Sequence, residues 1–139
     1  MIWHKHYSLD DVKAMNINMT AHLGFELSDV GPDFLKGSLP VDHRTRQPIG
    51  LFHGGASCVL AETLGSIASN MVLNSAEEYA VGLSITANHL KAAKDGRVTG
   101  VAKSVHIGKT THVWDIELFN DQGQKICVSR LTTAILKKK

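Results

Sequence analysis

The sequence predicts an α+β fold, an antiparallel sheet of about six strands wrapped around one long central helix, with a short helix near the N-terminus. Two observations carry this. The segment 54–76, GGASCVLAETLGSIASNMVLNSA, is apolar over a length that no ordinary strand reaches, and Leu60, Leu64, Ile67 and Met71 recur in it at helical spacing. From Tyr79 onward, four strand-length segments are separated by short turns, and two more strand-like segments precede the helix.

Ser8-Leu9-Asp10-Asp11 has the form of an N-cap followed by an acid three residues on, so a helix is expected from there to about Met19. Residues 23–30 and 34–41 read as strands joined by the turn Gly31-Pro32-Asp33. The next stretch, 42–52, interrupts the apolar pattern with charges, Pro48 and Gly50, which marks a loop of functional length. The helix follows over about 55–73, and being apolar on nearly every side it should be enclosed. Strands are expected at 80–90, 97–107, 111–120 and 125–136, with turns at Lys94-Asp95-Gly96, Gly108-Lys109 and Asp121-Gln122-Gly123. Val113 and Asp115 alternate with Trp114, Ile116 and Leu118, which puts the two sets on opposite faces. Short turns imply antiparallel neighbours, and such a sheet satisfies the helix by curling around it. That is the hotdog architecture, whose open edges lead us to expect pairing with a second copy.

A chain of 139 residues with 43% hydrophobic content fits one domain with a single core. Fifteen Lys+Arg against 13 Asp+Glu give a formal charge of +2, too balanced for binding nucleic acid by charge, and 6% aromatic content offers no base-stacking platform. The N-terminus MIWHKHYSLDD has no secretory h-region, and no run approaches the ~20 apolar residues of a membrane span, so a cytoplasmic protein is expected. Cys58 and Cys127 lack CxxC spacing and read as reduced thiols. The histidines at 4, 6, 22, 43 and 112 form no HExxH or similar pattern, so no metal is expected.

Glu62 is the only acid, base or histidine in the segment 54–76. A carboxylate in such a setting must be protonated, paired or used, and burial would raise its pKa. Ser66 lies one turn further along the same face. Just upstream, His53-Gly54-Gly55 opens the helix, where unpaired amides and a partial positive charge favour a developing anion.

The segment Gln47-Pro48-Ile49-Gly50-Leu51-Phe52-His53-Gly54-Gly55, followed by Leu60-Ala61-Glu62-Thr63 and Ser66, resembles the hotdog-fold acyl-CoA thioesterases of the PaaI and 4-hydroxybenzoyl-CoA type. Within that group the likeness is to the enterobacterial-type enzymes, which include thioesterases of menaquinone and enterobactin synthesis. It extends to Pro40-Val41-Asp42-His43-Arg44, Val81-Gly82-Leu83, Asn88-His89-Leu90, Val113-Trp114 and Val128-Ser129-Arg130. The resemblance implies hydrolysis of an acyl-CoA, of aromatic or broad acyl range, to free acid and CoA, with acyl-carrier-protein thioesters as further candidates. It implies no cofactor, CoA being part of the substrate, and a dimer of dimers with shared sites.

By the same likeness, Gln47 and His53 face the thioester from one chain, and Glu62, Thr63 and Ser66 come from the other. Gly54 N–H is the expected oxyanion donor, with Gly55 adjacent. Glu62 is either a nucleophile, through an anhydride, or a general base on water, and the residues leave that open. Gly82, His89, Lys91 and Ala92 border pantetheine and nucleotide, Lys91 standing where many relatives carry Arg. The turn His106-Ile107-Gly108-Lys109-Thr110-Thr111 receives the CoA phosphates. Two rival readings are a hotdog hydratase or dehydratase and a non-catalytic acyl-CoA-binding module.

Overall fold

The computed structural model describes residues 1–139. Its elements are α1 (Leu9–Lys13), α2 (Met19–His22), β1 (Glu26–Val30), β2 (Phe34–Pro40), α3 (Gly54–Val72), β3 (Glu78–His89), β4 (Arg97–Ile107), β5 (Thr111–Phe119) and β6 (Lys125–Lys137). The strands form one six-stranded antiparallel sheet in the order β1-β2-β4-β5-β6-β3, and α3 packs along its concave side. This is the hotdog arrangement. β3 is the third of six strands in the chain yet lies at the sheet edge, paired with β6 alone.

The core follows from the alternation. Trp114, Ile116 and Leu118 on β5 turn inward and are fully buried against Leu60, Leu64 and Met71 of α3. Gly100 on β4 lets the helix approach, since a Cβ there would stand 2.7 Å from Leu64 Cδ1. Where polar groups enter this core they are bonded: Trp114 Nε1 donates to Ser69 Oγ at 2.6 Å, and Ser69 Oγ lies 2.9 Å from Thr133 Oγ1. Trp3 stacks on Trp114 with centroids 6.3 Å apart, which ties the N-terminus to the sheet.

The N-terminal helix is shorter than its sequence suggests. Its capping box forms, Asp11 N–H donating to Ser8 Oγ and Ser8 N–H to Asp11 Oδ2, but it ends at Lys13. Asn16 Nδ2 donates to Phe25 O at 2.7 Å, and Asn18 turns the chain with φ of 59°, so a second short helix begins at Met19. Because α2 and the left-handed Gly24 (φ +79) use the residues before Phe25, β1 starts at Glu26 rather than at 23.

The segment between β2 and α3 is held at both ends. Asp42 accepts from Arg44 N–H and pairs with its guanidinium at 2.7 Å, while Arg44 Nη1 reaches His22 O at 3.2 Å. That pairing holds the Asp42 carboxyl down to about 2, well below the usual carboxylate range. Phe52 N–H donates to Ala93 O and His53 N–H to Thr45 O, which sets the angle at which the chain starts α3.

Candidate active site

His53 is the N-cap of α3, and its Nδ1 accepts from Gly55 N–H at 2.7 Å. An acceptor Nδ1 leaves the proton of the neutral ring on Nε2, which makes Nε2–H a donor. Gly54 N–H donates to no group in the protein, as the first amide of a helix must unless something outside it accepts. The two glycines therefore differ: Gly55, expected as a neighbouring oxyanion donor, has its amide occupied by His53. His89 covers Gly54, and a Cβ on that glycine would lie 3.0 Å from His89 Nε2.

Gln47 Oε1 accepts from Ile49 N–H at 2.7 Å and Leu51 N–H at 3.2 Å. Its carbonyl is thus consumed in shaping the loop, and its NH₂ remains to donate. Gln47 and Gly54 share a cavity of about 390 Å³ with Leu51, Phe52, Ser57, His89, Lys91, Ala92 and Ile126. This is within the range of small-molecule sites. Ser57 did not stand out in the sequence, although it follows Gly54 by three residues and so shares its helix face. Hollows of about 350 and 410 Å³ also lie on the outer face of the sheet around Asp115 and Glu117, and neither includes the HGG segment.

Glu62 is placed differently from expectation. It is exposed, makes no ion pair, and lies over Gly82 of β3, where a Cβ would run into its Oε1. The burial argued from its apolar sequence neighbours is absent in the single chain, because β3 is the edge strand of the sheet and nothing covers the flank of α3 beside it. Thr63 and Ser66 are half-buried on the same helix. Asn70 fastens this flank: its Nδ2 donates to Ser66 O at 2.8 Å and its Oδ1 accepts from Ala80 N–H at 2.9 Å.

One chain does not bring these groups together. Glu62 follows Gly54 by eight residues, a rise of about 12 Å along the helix. The turn between β4 and β5 is closed by Gly108 N–H donating to Thr111 O and tied to β6 by Ile135 N–H donating to Thr110 O. Strand register puts it at the Glu62 end: Thr111 and Val81 both face Ala134 of β6, whereas His89 faces Cys127. Seven residues of β6 separate those rows, about 23 Å. The chain thus carries two sets, Gln47, His53, Gly54, His89, Lys91 and Ala92 at one end and Glu62, Gly82 and His106-Ile107-Gly108-Lys109-Thr110-Thr111 at the other. Beside that turn, His112 is buried, and this burial, with His106 nearby, lowers its pKa below 6.5.

A hotdog sheet with an HGG helix start and an acid on the same helix defines a class, the hotdog thioester hydrolases. Residues 49–127 match the thioesterase superfamily, and the chain belongs to it. It is 47% identical over 137 residues to the 1,4-dihydroxy-2-naphthoyl-CoA hydrolase of Escherichia coli strain K12, covering 98% of this chain and 100% of that protein. It superposes with a TM-score of 0.96 and 43% identity on thioesterase PA1618 from Pseudomonas aeruginosa, over 99% of this chain and 100% of the other. SAV0944 from Staphylococcus aureus, a thioesterase solved once with a glutamate and once with a glutamine replaced by alanine, is also similar. The glutamate variant has a TM-score of 0.84 and 39% identity over 87% of this chain and 100% of that one. The protein is accordingly a thioester hydrolase.

Proposed function

We propose that the protein hydrolyses acyl-CoA thioesters, aromatic ones first among them, at a site made by two copies. The observation that carries this is the open Gly54 amide beside a cavity in each chain, with the unpaired Glu62 carboxylate about 12 Å further along the helix. A two-fold pairing of β3 edges runs the two strands antiparallel, so the Gly82 end of one copy meets the His89 end of the other. Glu62 of one copy then faces Gln47, His53 and Gly54 of its partner. A further support is spacing: the glutamine and glutamate replaced in the Staphylococcus aureus structures stand fifteen residues apart, as Gln47 and Glu62 do here.

In this arrangement the Gln47 amide and His53 Nε2–H polarise the thioester carbonyl, and Gly54 N–H stabilises the oxyanion that forms there. Glu62 either adds to the carbonyl carbon or takes a proton from the water that does. Ser66 holds the carboxylate or that water, with Thr63 beside it. The C–S bond breaks and CoA leaves as thiolate and collects a proton; in the general-base route the acid is then free, and in the nucleophilic route water cleaves the Glu62 anhydride to release the acid and restore the carboxylate. Lys91, Ala92 and Gly82 border the pantetheine arm, and the Gly108-Lys109-Thr110 turn offers amides and one cation to the CoA phosphates.

The acyl group named for the Escherichia coli relative makes 1,4-dihydroxy-2-naphthoyl-CoA, and with it menaquinone synthesis, the first candidate. Acyl-carrier-protein thioesters, a dimer of dimers and a cytoplasmic setting belong to the same proposal. Free-thiol release should be followed over aryl, short-chain and long-chain acyl-CoAs and carrier-protein thioesters, with wild type and Glu62→Ala. We expect aryl-CoA turnover in the wild type and a loss of at least about 10³-fold in the variant at unchanged melting temperature. Crotonyl-CoA hydrated without thiol release, or acyl-CoA bound with no turnover, would reject the assignment.

A further inference from the structure

Neither cysteine has a part in the scheme above, yet the fold brings the two together. Cys58 begins the second turn of α3 and is half-buried, while Cys127 on β6 is fully buried in the core. Both are free thiols. Burial, with Cys58 beside it, pushes the Cys127 thiol up.

The packing of α3 on β6 accounts for the meeting. Ser69 Oγ lies 2.9 Å from Thr133 Oγ1, and a Cβ on Gly65 would stand 3.4 Å from Leu131 Cβ, so one stripe of the helix runs over the inward residues of the strand. Cys58 is on that stripe. It precedes Ser69 by eleven residues, which is three helical turns and about 20°. That is about 16 Å of helix, and the six residues of β6 from Thr133 back to Cys127 span about 20 Å, so the two lengths agree to about one strand residue. The direction agrees as well: His89, the cross-strand partner of Cys127 on β3, covers Gly54 one turn before Cys58. Where the helix passes Leu131, the separation of Cβ positions is already close to that of a disulfide, roughly 3.5–4.5 Å.

We infer that Cys58 and Cys127 form a modification site, a preformed dithiol that a hydroperoxide converts to a disulfide between α3 and β6 without rearranging the fold. Half-buried Cys58 meets the oxidant first, since hydrogen peroxide is little larger than water and Cys127 is out of its reach. The Cys58 sulfur attacks one peroxide oxygen, the O–O bond breaks, and the departing hydroxide takes the thiol proton and leaves as water. Cys127 sulfur then attacks the sulfenic sulfur of Cys58, the S–O bond breaks, and a second water carries away the Cys127 proton. Two thiols are oxidised and one peroxide is reduced to two waters. The buried neighbour thus diverts Cys58 from the irreversible sulfinic acid into a bond that a dithiol reductant reverses.

The test treats the reduced, full-length protein with a small excess of hydrogen peroxide, beside Cys58→Ser and Cys127→Ser, and reads intact mass, linked peptides and melting temperature. The wild type should lose about 2 Da, with a peptide pair joining Cys58 to Cys127 that disappears on adding dithiothreitol. The bond closes a loop of about 70 residues, so the melting temperature should rise by about 5 °C or more, in the wild type alone. Cys127→Ser should instead gain oxygen at Cys58, trapped by dimedone as the sulfenic acid, and Cys58→Ser should stay unmodified at the same dose. Over-oxidation of Cys58 with Cys127 left as thiol, a cross-link only between chains, or no loss of thiol in the wild type overturns the inference. So does a bond that forms without raising the melting temperature, because the native packing then does not present the pair ready-made. None of these outcomes bears on the proposed hydrolysis.

Discussion

Ser69 Oγ sits between Trp114 Nε1 and Thr133 Oγ1, and all three residues are fully buried. Replacing Ser69 with Ala removes one oxygen but strands two polar groups where water does not reach, and stranding is the larger effect. Ser69→Ala should lower the unfolding free energy by about 2–3 kcal/mol, seen as a lower urea midpoint at unchanged m-value. His112 is the opposite case, since its Nδ1 already lacks a partner. Burial favours its neutral form, so its folded-state pKa lies below 6.5 and the unfolded chain binds the proton first. Stability should therefore be full above about pH 6.5 and fall as pH drops toward the folded-state value. Phe fills a similar volume without titrating, so His112→Phe should show a shallower fall in melting temperature between about pH 7 and 5 than the wild type. An unchanged slope would assign the acid sensitivity elsewhere.

At the scale of elements, the strands were legible where punctuation is local. β4 runs over 97–107 as its spacing indicates, because Gly96 (φ +71) and Gly108 stop it at both ends. α1 was legible at its start, where Ser8 and Asp11 cap each other, and not at its end. Nothing in Met15-Asn16-Ile17-Asn18 breaks a helix as Pro would, and the break comes from the Asn16 bond to Phe25, nine residues away. Glu62 shows a related limit: apolar sequence neighbours predict burial only if the sheet covers every side of the helix, and beside β3 it does not. The HGG segment was readable as a helix start, but that His53 would claim the Gly55 amide depends on a cap geometry that residue types do not specify. The loop before it carries its own prediction. Asp42, held at about 2 by Arg44, keeps its contribution at pH above the ordinary carboxylate value and loses it as pH falls toward 2. Asp42→Asn should flatten the acid limb of the stability curve between about pH 4 and 2, and a carboxyl NMR titration of the wild type should place the Asp42 midpoint at about 2.

For the whole molecule, the open question is who supplies the carboxylate. Within one chain, about 12 Å of helix lies between Gly54 and Glu62, and about 23 Å of strand between the His89 row and the β4–β5 turn. A side chain bridges neither distance, whereas the two-fold pairing of β3 edges proposed above would bring the unlike ends together twice and give two equivalent sites per dimer. That geometry has a consequence no single-chain site shares. Glu62→Ala and His53→Ala should each be inactive alone, since each homodimer lacks one partner at both sites. Unfolded together in equal amounts and refolded, half of the dimers should be mixed, and each mixed dimer holds one doubly damaged site and one intact site. The mixture should then regain about a quarter of wild-type activity per dimer. Recovery near that fraction, rising when one variant is held limiting and rated per limiting chain, requires Glu62 and His53 to act from different chains. No recovery, with mixed dimers verified by differently tagged subunits, places both residues in a site within one chain and removes the shared-site mechanism.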